Sequence, residues 1–246
     1  CTPAYLGRDP KLLKRLTEAT GMKFITNTGY YGARHGKFLP KHAYSESADE
    51  LGKRWTAEWK EGLEGTGVRP GFIKIGVDAG PLTDVNRKLV QAAARCHLNT
   101  GLTIAGHTGD GKAALEQVDV LKKEGVSPSA WIWVHAQNER NSELHIQVAR
   151  AGAWVEFDGI GPTSIERHVE LVKRMRETGS LNRILISHDA GWYSVGEPRG
   201  GKVRGFGTAF TKFVPALRKA GFSEDDVKQL IVTNPAKAFS IGSTKT

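Results

Sequence analysis

Short apolar runs recur along the chain, and each follows a polar segment that ends in glycine. The runs lie in TGMKFITNTG, TGVRPGFIKIG, TGLTIAGHTG, EGVSPSAWIWVH, AGAWVEFDG and SLNRILISHD. Their apolar residues do not alternate with polar ones, which is typical of parallel strands covered on both faces. A glycine before each run fits the left-handed turn that ends a helix. The pattern therefore predicts a parallel sheet built of repeated βα units.

The segments between the apolar runs predict amphipathic helices that cover this sheet. In SADELGKRWTAEWKEGLE, Ser47 and Glu50 have the spacing of a capping box at the start of a helix. In PTSIERHVELVKRMRE, Pro162 lies near the expected first turn, and Ile165 and Val169 begin an apolar stripe. These segments alternate with the predicted strands along the whole chain.

The spacing of the units favours one barrel domain. Six units are visible at intervals of roughly 25–35 residues, which suits a TIM-like (β/α)8 barrel better than a doubly wound sheet. The chain has 246 residues and 39% hydrophobic content, which excludes an intrinsically disordered protein. We predict that residues 1–246 form a single barrel domain with two of its eight strands unaccounted for.

Charge and hydropathy restrict the partners of the protein. The net charge is +9, but the basic residues are scattered through amphipathic segments, so we predict no nucleic-acid partner. Such a charge could still favour anionic substrates. No apolar stretch approaches the ~20 residues of a membrane span.

The two cysteines do not make a disulfide framework. Cys96 lies in a helical pattern, where we expect a small buried side chain. Cys1, and not Met, begins the chain, so we expect further residues upstream, and an export signal there would leave the cellular location open. A lipid-modified Cys1 is a minor alternative.

Chemically competent side chains follow the apolar runs, where the active sites of parallel barrels lie. They are Asn27, Tyr31, Lys74, His107, His135, Asp158 and Asp189. Lys74 is unusual because lysine is rarely buried unless another group pairs with its charge. Lys74, His107, His135 and Asp189 are separated by 33, 28 and 54 residues, which corresponds to about one, one and two βα units. We expect them to converge on one barrel mouth as a metal site.

Each of these residues also has an ordinary interpretation. A histidine at the end of a strand often bonds to a neighbouring backbone group, and Asp189 could cap the segment that follows it. Lys74 could extend its amine from the barrel mouth into water. The joint pattern favours a metal site over three independent explanations.

The strand ends GFIKI, GHTG, WVHA and ISHD and the closing LIVTNPAKAF resemble the phosphotriesterase family of amidohydrolases, including its lactonase branch. The resemblance runs from about residue 1 to about residue 240 and implies a distorted (β/α)8 barrel with two divalent ions, zinc by default. It implies that Lys74 is carboxylated and bridges both ions. It also implies that His107 and His135 ligate one ion, while Asp189 ligates the other and accepts the proton of the attacking water.

Carboxylation also answers why a lysine stands in this strand. Carbon dioxide reacts with a neutral amine, and burial lowers the pKa of a lysine toward neutrality. The carbamate replaces a costly buried cation with an anionic oxygen ligand.

One metal-binding motif of the family is absent from this sequence. The family has a His-x-His at the end of its first strand, whereas His35 and His42 lie seven residues apart in a loop and match neither its spacing nor its context. Cys1 aligns with the end of the family's second strand. We therefore expect the first strand and most of the second to be missing from this sequence, and the full-length protein to bind two metal ions.

The residues that distinguish substrates within the family also differ. Gly159 follows Asp158 where phosphotriesterases have a histidine and lactonases usually have an arginine. Asn138 stands at the second acidic position of the phosphotriesterase proton relay. The sequence therefore matches neither the phosphotriesterase pattern nor the lactonase pattern of substrate-distinguishing residues.

Three residues are candidates for binding substrate. Tyr31 falls where the lactonase branch has a tyrosine beside the substrate, although Tyr30 and Tyr31 could instead cover the barrel rim. Trp192 and Arg34 are further pocket candidates.

The leading hypothesis is a metal-dependent hydrolase of a lactone, carboxyl ester or phosphoester, which acts without a covalent enzyme intermediate. The family is often dimeric, so a homodimer is a further expectation. One alternative is a non-catalytic or metal-deficient binding module, because the His-x-His is absent. Another is a Schiff-base lyase that uses Lys74, since lysines with a lowered pKa form imines.

Overall fold

A parallel sheet in chain order forms the centre of the protein. The computed structural model describes residues 2–242. The six strands are β1 (Asn27–Thr28), β2 (Phe72–Val77), β3 (Thr103–Thr108), β4 (Trp131–Val134), β5 (Trp154–Phe157) and β6 (Ile184–Ile186). Every neighbouring pair is parallel. The six predicted strand positions are confirmed, while Cys1 lies outside the described residues.

Helices connect the strands and cover one side of the sheet. They are α1 (Pro10–Thr20), α2 (His42–Ser45), α3 (Ala48–Glu61), α4 (Asp84–Thr100), α5 (Gly111–Lys123), α6 (Ser142–Arg150), α7 (Ile165–Glu177), α8 (Val214–Lys219), α9 (Glu224–Lys228) and α10 (Asn234–Ala238). The π-helical turns Ala209–Phe213 and Gln229–Thr233 lead into α8 and join α9 to α10. Within residues 2–242, none of these helices has the length and apolarity needed to cross a bilayer.

Two sequence predictions about helix starts have different outcomes. The capping box is confirmed, because the Ser47 hydroxyl accepts a hydrogen bond from the Glu50 amide and the Glu50 carboxylate accepts one from the Ser47 amide. The position expected for Pro162 is wrong. Helix α7 begins at Ile165, with Ser164 as its N-cap residue, so Pro162 lies in the preceding turn.

Strand β1 is shorter than its apolar run suggested. Only Asn27 and Thr28 pair with β2, while Phe24 and Ile25 precede the strand and are exposed. The chain near Ala4 lies alongside the same segment, because Ala4 forms a parallel bridge with Tyr30. The edge of the sheet at β1 is therefore continued by residues from the beginning of the described chain.

Alternate strand residues face two separate apolar clusters. Ile73, Ile75 and Val77 belong to the large cluster shared with the helices. The inner cluster consists of Phe72, Ala105, Ile132, Val134, Trp154, Leu185, Ala238 and Phe239. Burial on both faces explains why the strand sequences do not alternate. Because Lys74 is two residues from Phe72 on the same strand, its side chain projects on the inner side of the sheet. Cys96 is buried in α4, as predicted.

We predict that Gly29 is required for the close approach of β1 to β2. Its φ is 104°, and an added Cβ would collide with the backbone carbonyl of Lys74. Gly21 has a φ of 69° with no atom within 4 Å of an added Cβ, so Gly21→Ala is a matched control. We expect Gly29→Ala to lower the free energy of unfolding by about 2 kcal/mol more than the control, measured by urea denaturation. Equal losses in both variants would contradict this close packing.

Candidate metal centre

The ends of the last three strands bring three potential ligands together. His135 directly follows β4, Asp158 directly follows β5, and Asp189 lies three residues after β6. One ligand atom from each residue lies within 4.8 Å of the others. His135 and Asp189 were predicted as ligands, whereas the sequence identified Asp158 as a strand-end residue without giving it that role.

His107 joins this group from β3. Its ring centroid lies 4.5 Å from that of His135, and the ring planes are inclined by 74°. Burial, followed by the charges of His135 and Lys74, lowers the pKa of His107 to about 3. His107 is therefore neutral near pH 7, which is the form of imidazole that binds metal ions.

The Lys74 amine lies in a desolvated and acidic environment. Burial lowers its pKa, and the charges of Glu156, Asp158 and Asp189 oppose that shift. Lys74 is half-buried, so its side chain is neither enclosed in the core nor fully exposed to water. A lowered pKa increases the fraction of neutral amine that can react with carbon dioxide. Lys74 thus interacts electrostatically with Asp158, Asp189 and His107.

Glu156 is an inner acidic residue that sequence reasoning missed. It lies on β5 two residues before Asp158, and the Ser187 hydroxyl donates a 2.8 Å hydrogen bond to Glu156 Oε1. Burial, followed by the charge of Asp158, raises the pKa of Glu156. The alternation of Trp154, Glu156 and Asp158 on one face of β5 is the signal that could have identified it.

A compact network of hydrogen bonds fixes the orientation of His135. Asp158 Oδ2 accepts from the His135 amide at 2.8 Å and is 2.7 Å from His135 Nδ1, while Gln137 Nε2 donates to Asp158 Oδ1 at 2.7 Å. The side-chain oxygen Oε1 of Gln137 accepts from the Asp158 amide at 3.0 Å. Burial would raise the pKa of Asp158, but the bonds and charge from His135 and the Gln137 bond together lower it. Because both oxygens have donors, Asp158 is better suited to orienting His135 than to ligation.

Backbone strain is concentrated around this centre. His135 has a φ of 69° and Asp189 a φ of 44°, and Arg34 and His35 on the loop after β1 have values of 58° and 55°. Positive φ is unfavourable for residues with a Cβ and persists where the surrounding structure holds it. Two of the four candidate ligands, His135 and Asp189, thus lie at strained turns of the chain.

The loop after β6 holds the backbone of Asp189 and leaves its carboxylate exposed. Trp192 Nε1 donates to the Asp189 carbonyl at 3.2 Å, and the Arg204 guanidinium donates to the carbonyls of His188 and Asp189. Trp192 itself is 57% exposed. The carboxylate makes no capping bond to the described segment that follows it.

The two adjacent tyrosines have different environments. The Tyr31 hydroxyl lies 3.1 Å from His107 Nδ1, and the two rings are 4.9 Å apart. Tyr30 instead packs against Trp55 in the outer core, with its hydroxyl 2.9 Å from His42 Nε2. The rim interpretation therefore does not describe Tyr31, which faces the candidate centre.

The donor set fits a divalent metal ion. His107 and His135 offer imidazole nitrogens, Asp189 offers a carboxylate, and Lys74 would add oxygen ligands after carboxylation, a mixture that zinc accepts. His42 is engaged by Tyr30 away from the centre, so it does not replace the missing His-x-His.

Comparison with known proteins places these residues in a family. The sequence profile of the Phosphotriesterase family matches residues 1–239. The phosphotriesterase homology protein of Escherichia coli is 32% identical over 97% of this chain and 81% of its own length. The aryldialkylphosphatase of Saccharolobus solfataricus is 27% identical over 96% of this chain and 77% of its own length.

Solved structures agree with the sequence comparisons. The Escherichia coli protein, complexed with phosphate in its active site, superposes with a TM-score of 0.87 over 97% of this chain and 82% of that chain. A lactonase from Listeria monocytogenes, 26% identical, gives a TM-score of 0.86 over 99% of this chain and 80% of that chain. The predicted TIM-like (β/α)8 fold class is confirmed.

We predict that Gln137 supports metal binding through Asp158. Gln137→Met removes the donor to Asp158 Oδ1 while keeping a side chain of similar length. Partners of this kind typically change metal affinity by about 10–100-fold, so we expect a weakening of that size in competition with a chromophoric chelator. The adjacent exposed Asn138 provides the control Asn138→Ala, which should bind metal normally. Unchanged metal affinity in Gln137→Met would contradict the orienting role.

Proposed function

Because the chain belongs to the phosphotriesterase family, we propose that it is a metal-dependent hydrolase of a small ester, lactone or phosphoester. The observation that carries this proposal is that a ligand atom of His135 lies within 4.8 Å of one of Asp189, with His107 beside His135 and Asp158 bonded to His135. The relatives described as an aryldialkylphosphatase and a lactonase support the same reaction class.

In this proposal the four predicted ligands have separate roles. His107 and His135 would hold one ion through neutral imidazole, while Asp189 would ligate the other. Lys74, as a carbamate, would contribute oxygen ligands to the ions, and burial, which lowers the pKa of its amine, favours the neutral form that reacts with carbon dioxide. Divalent ions, with zinc as the default, lower the pKa of water and polarise the bond to be cleaved.

Asp189 is the proposed proton acceptor. Its carboxylate is exposed at the mouth while its backbone is held by Trp192 and Arg204. It can therefore take the proton from the attacking water and pass it to the leaving group without moving the chain. No covalent bond between protein and substrate is required.

Substrate orientation is assigned to Tyr31 and Trp192. Burial raises the pKa of Tyr31 to about 12, so its phenol remains protonated and can donate to a substrate oxygen. Gly159 has no side chain at a position where family members differ in theirs. We also propose that the chain forms a single domain and that the protein is a homodimer.

We predict that removal of metal abolishes ester hydrolysis and that zinc restores it. The protein, purified with metal and bicarbonate, would be analysed for metal content and assayed before and after dialysis against a chelator. Activity that survives complete metal removal would exclude this mechanism. Bound metal without turnover on any ester, lactone or phosphoester would favour a binding module, and borohydride trapping of a carbonyl compound on Lys74 would favour a Schiff-base lyase.

We predict that Asp189→Asn lowers kcat by at least ~10², the lower range for a positioned general base. The amide keeps the size and most contacts of the side chain but does not accept the proton. The control is Asp119→Asn, an exposed carboxylate on α5, which should have near-normal activity. A near-normal rate for Asp189→Asn at normal metal content would contradict the assignment.

A further inference from the structure

The loop after β1 carries an arginine whose backbone is fixed and whose charged end has no partner in the described part of the chain. The Arg34 and His35 amides donate to the two carboxylate oxygens of Asp78 at 2.7 and 3.0 Å. The Gly32 amide donates to the Gly76 carbonyl on β2 at 2.9 Å. The loop is therefore anchored to the strand that carries Lys74, and its two strained residues are held by Asp78.

Arg34 lies within electrostatic range of the candidate centre. It follows Tyr31 by three residues, and Tyr31 contacts His107 through its hydroxyl. Burial dominates the pKa shifts of both Tyr31 and His107, but the charge of Arg34 contributes a lowering to each. Its guanidinium therefore projects a positive potential into the mouth.

Several other arginines of the protein have a bound partner. Arg8 pairs with Glu58, Arg54 with Glu46, and Arg218 with Glu224. At the mouth, Arg204 uses its guanidinium to hold backbone carbonyls of the loop after β6. The Arg34 side chain is exposed and, among residues 2–242, makes no hydrogen bond or ion pair.

We propose that Arg34 binds an anionic group of the substrate, so that the substrate is an ester or lactone that also carries a carboxylate or a phosphate away from the bond that is cleaved. This inference rests on the proposed hydrolase function. A guanidinium presents paired donors that match the oxygens of either group. Because its loop leaves β1 at one side of the mouth, whereas His135 and Asp189 follow β4 and β6, the anion would lie apart from the reacting bond.

The test compares matched esters with and without an anion. The 4-nitrophenyl esters of acetate, of succinate with one free carboxylate, and of 3-phosphonopropionate would be assayed with the metal-loaded protein. We expect Arg34→Met to lower kcat/KM for the anionic esters by about tenfold or more relative to the acetate ester, as loss of a hydrogen bond to a charged group implies. The ester with the larger loss identifies carboxylate or phosphate as the preferred group.

Lys37→Met is the matched control, because it removes an exposed positive charge from the same loop. It should leave the ratio between anionic and neutral esters within about twofold, since exposed charges are screened by salt. Arg34→Lys, which keeps the charge but not the paired donors, should recover part of the preference. Equal losses on all three esters, or no loss, would overturn the role of Arg34 while leaving the hydrolase function intact.

A binding measurement separates this inference from the hydrolase proposal. If the wild-type protein hydrolyses none of the esters, the proposed function fails on these substrates, and calorimetric titration of chelator-treated protein with succinate and inorganic phosphate decides the inference. Binding that is weakened about tenfold by Arg34→Met and unchanged by Lys37→Met would support an anion site. Equal binding by the wild type and Arg34→Met, or no binding, would overturn it.

Discussion

The electrostatic environment of the Lys74 amine is the constraint on which the rest of the centre depends. A lysine on the inner side of a sheet loses hydration, and this cost is tolerable only if the charge is neutralised or compensated. Burial lowers the pKa of Lys74 against the opposing charges of Glu156, Asp158 and Asp189. Carboxylation would remove the buried ammonium, and the resulting anionic carbamate would then be balanced by the positive charge of the metal ions.

The parallel sheet explains how distant residues meet at this amine. Each strand delivers one side chain to the same end, so His107, His135 and Asp189 converge although they are far apart in sequence. Below them lies the inner apolar cluster, and hydrogen bonds hold His135 and the backbone of Asp189. The reciprocal bonds between Gln137 and Asp158 hold the group that orients His135. Strained backbone at His135 and Asp189 is the local cost of presenting these side chains.

The sequence was sufficient for the parts of the structure that follow from periodicity. Six strands, the capping box at Ser47 and the inward position of Lys74 follow from apolar patterning and local capping chemistry. The roles of Gln137 and Glu156 did not follow, because each depends on contacts between neighbouring strands. The length of β1 also depends on pairing at the edge of the sheet, which a run of apolar residues does not encode.

The environments of individual loop residues could not be predicted from the sequence either. Tyr30 and Tyr31 are adjacent and chemically identical, yet one packs in the outer core and the other contacts His107. Only the backbone geometry of the loop decides which tyrosine faces the centre. Arg34 is similar, because its exposure and its lack of a partner among the described residues emerge from the anchoring of its loop by Asp78.

The most direct test of the central claim is a ¹³C NMR spectrum of the protein after loading with zinc and ¹³C-bicarbonate. We predict a carbamate resonance that is present in the wild-type protein and absent from Lys74→Ala. Full zinc occupancy of the wild-type protein without any carbamate signal would contradict the account, because the Lys74 amine would then remain unmodified beside bound metal.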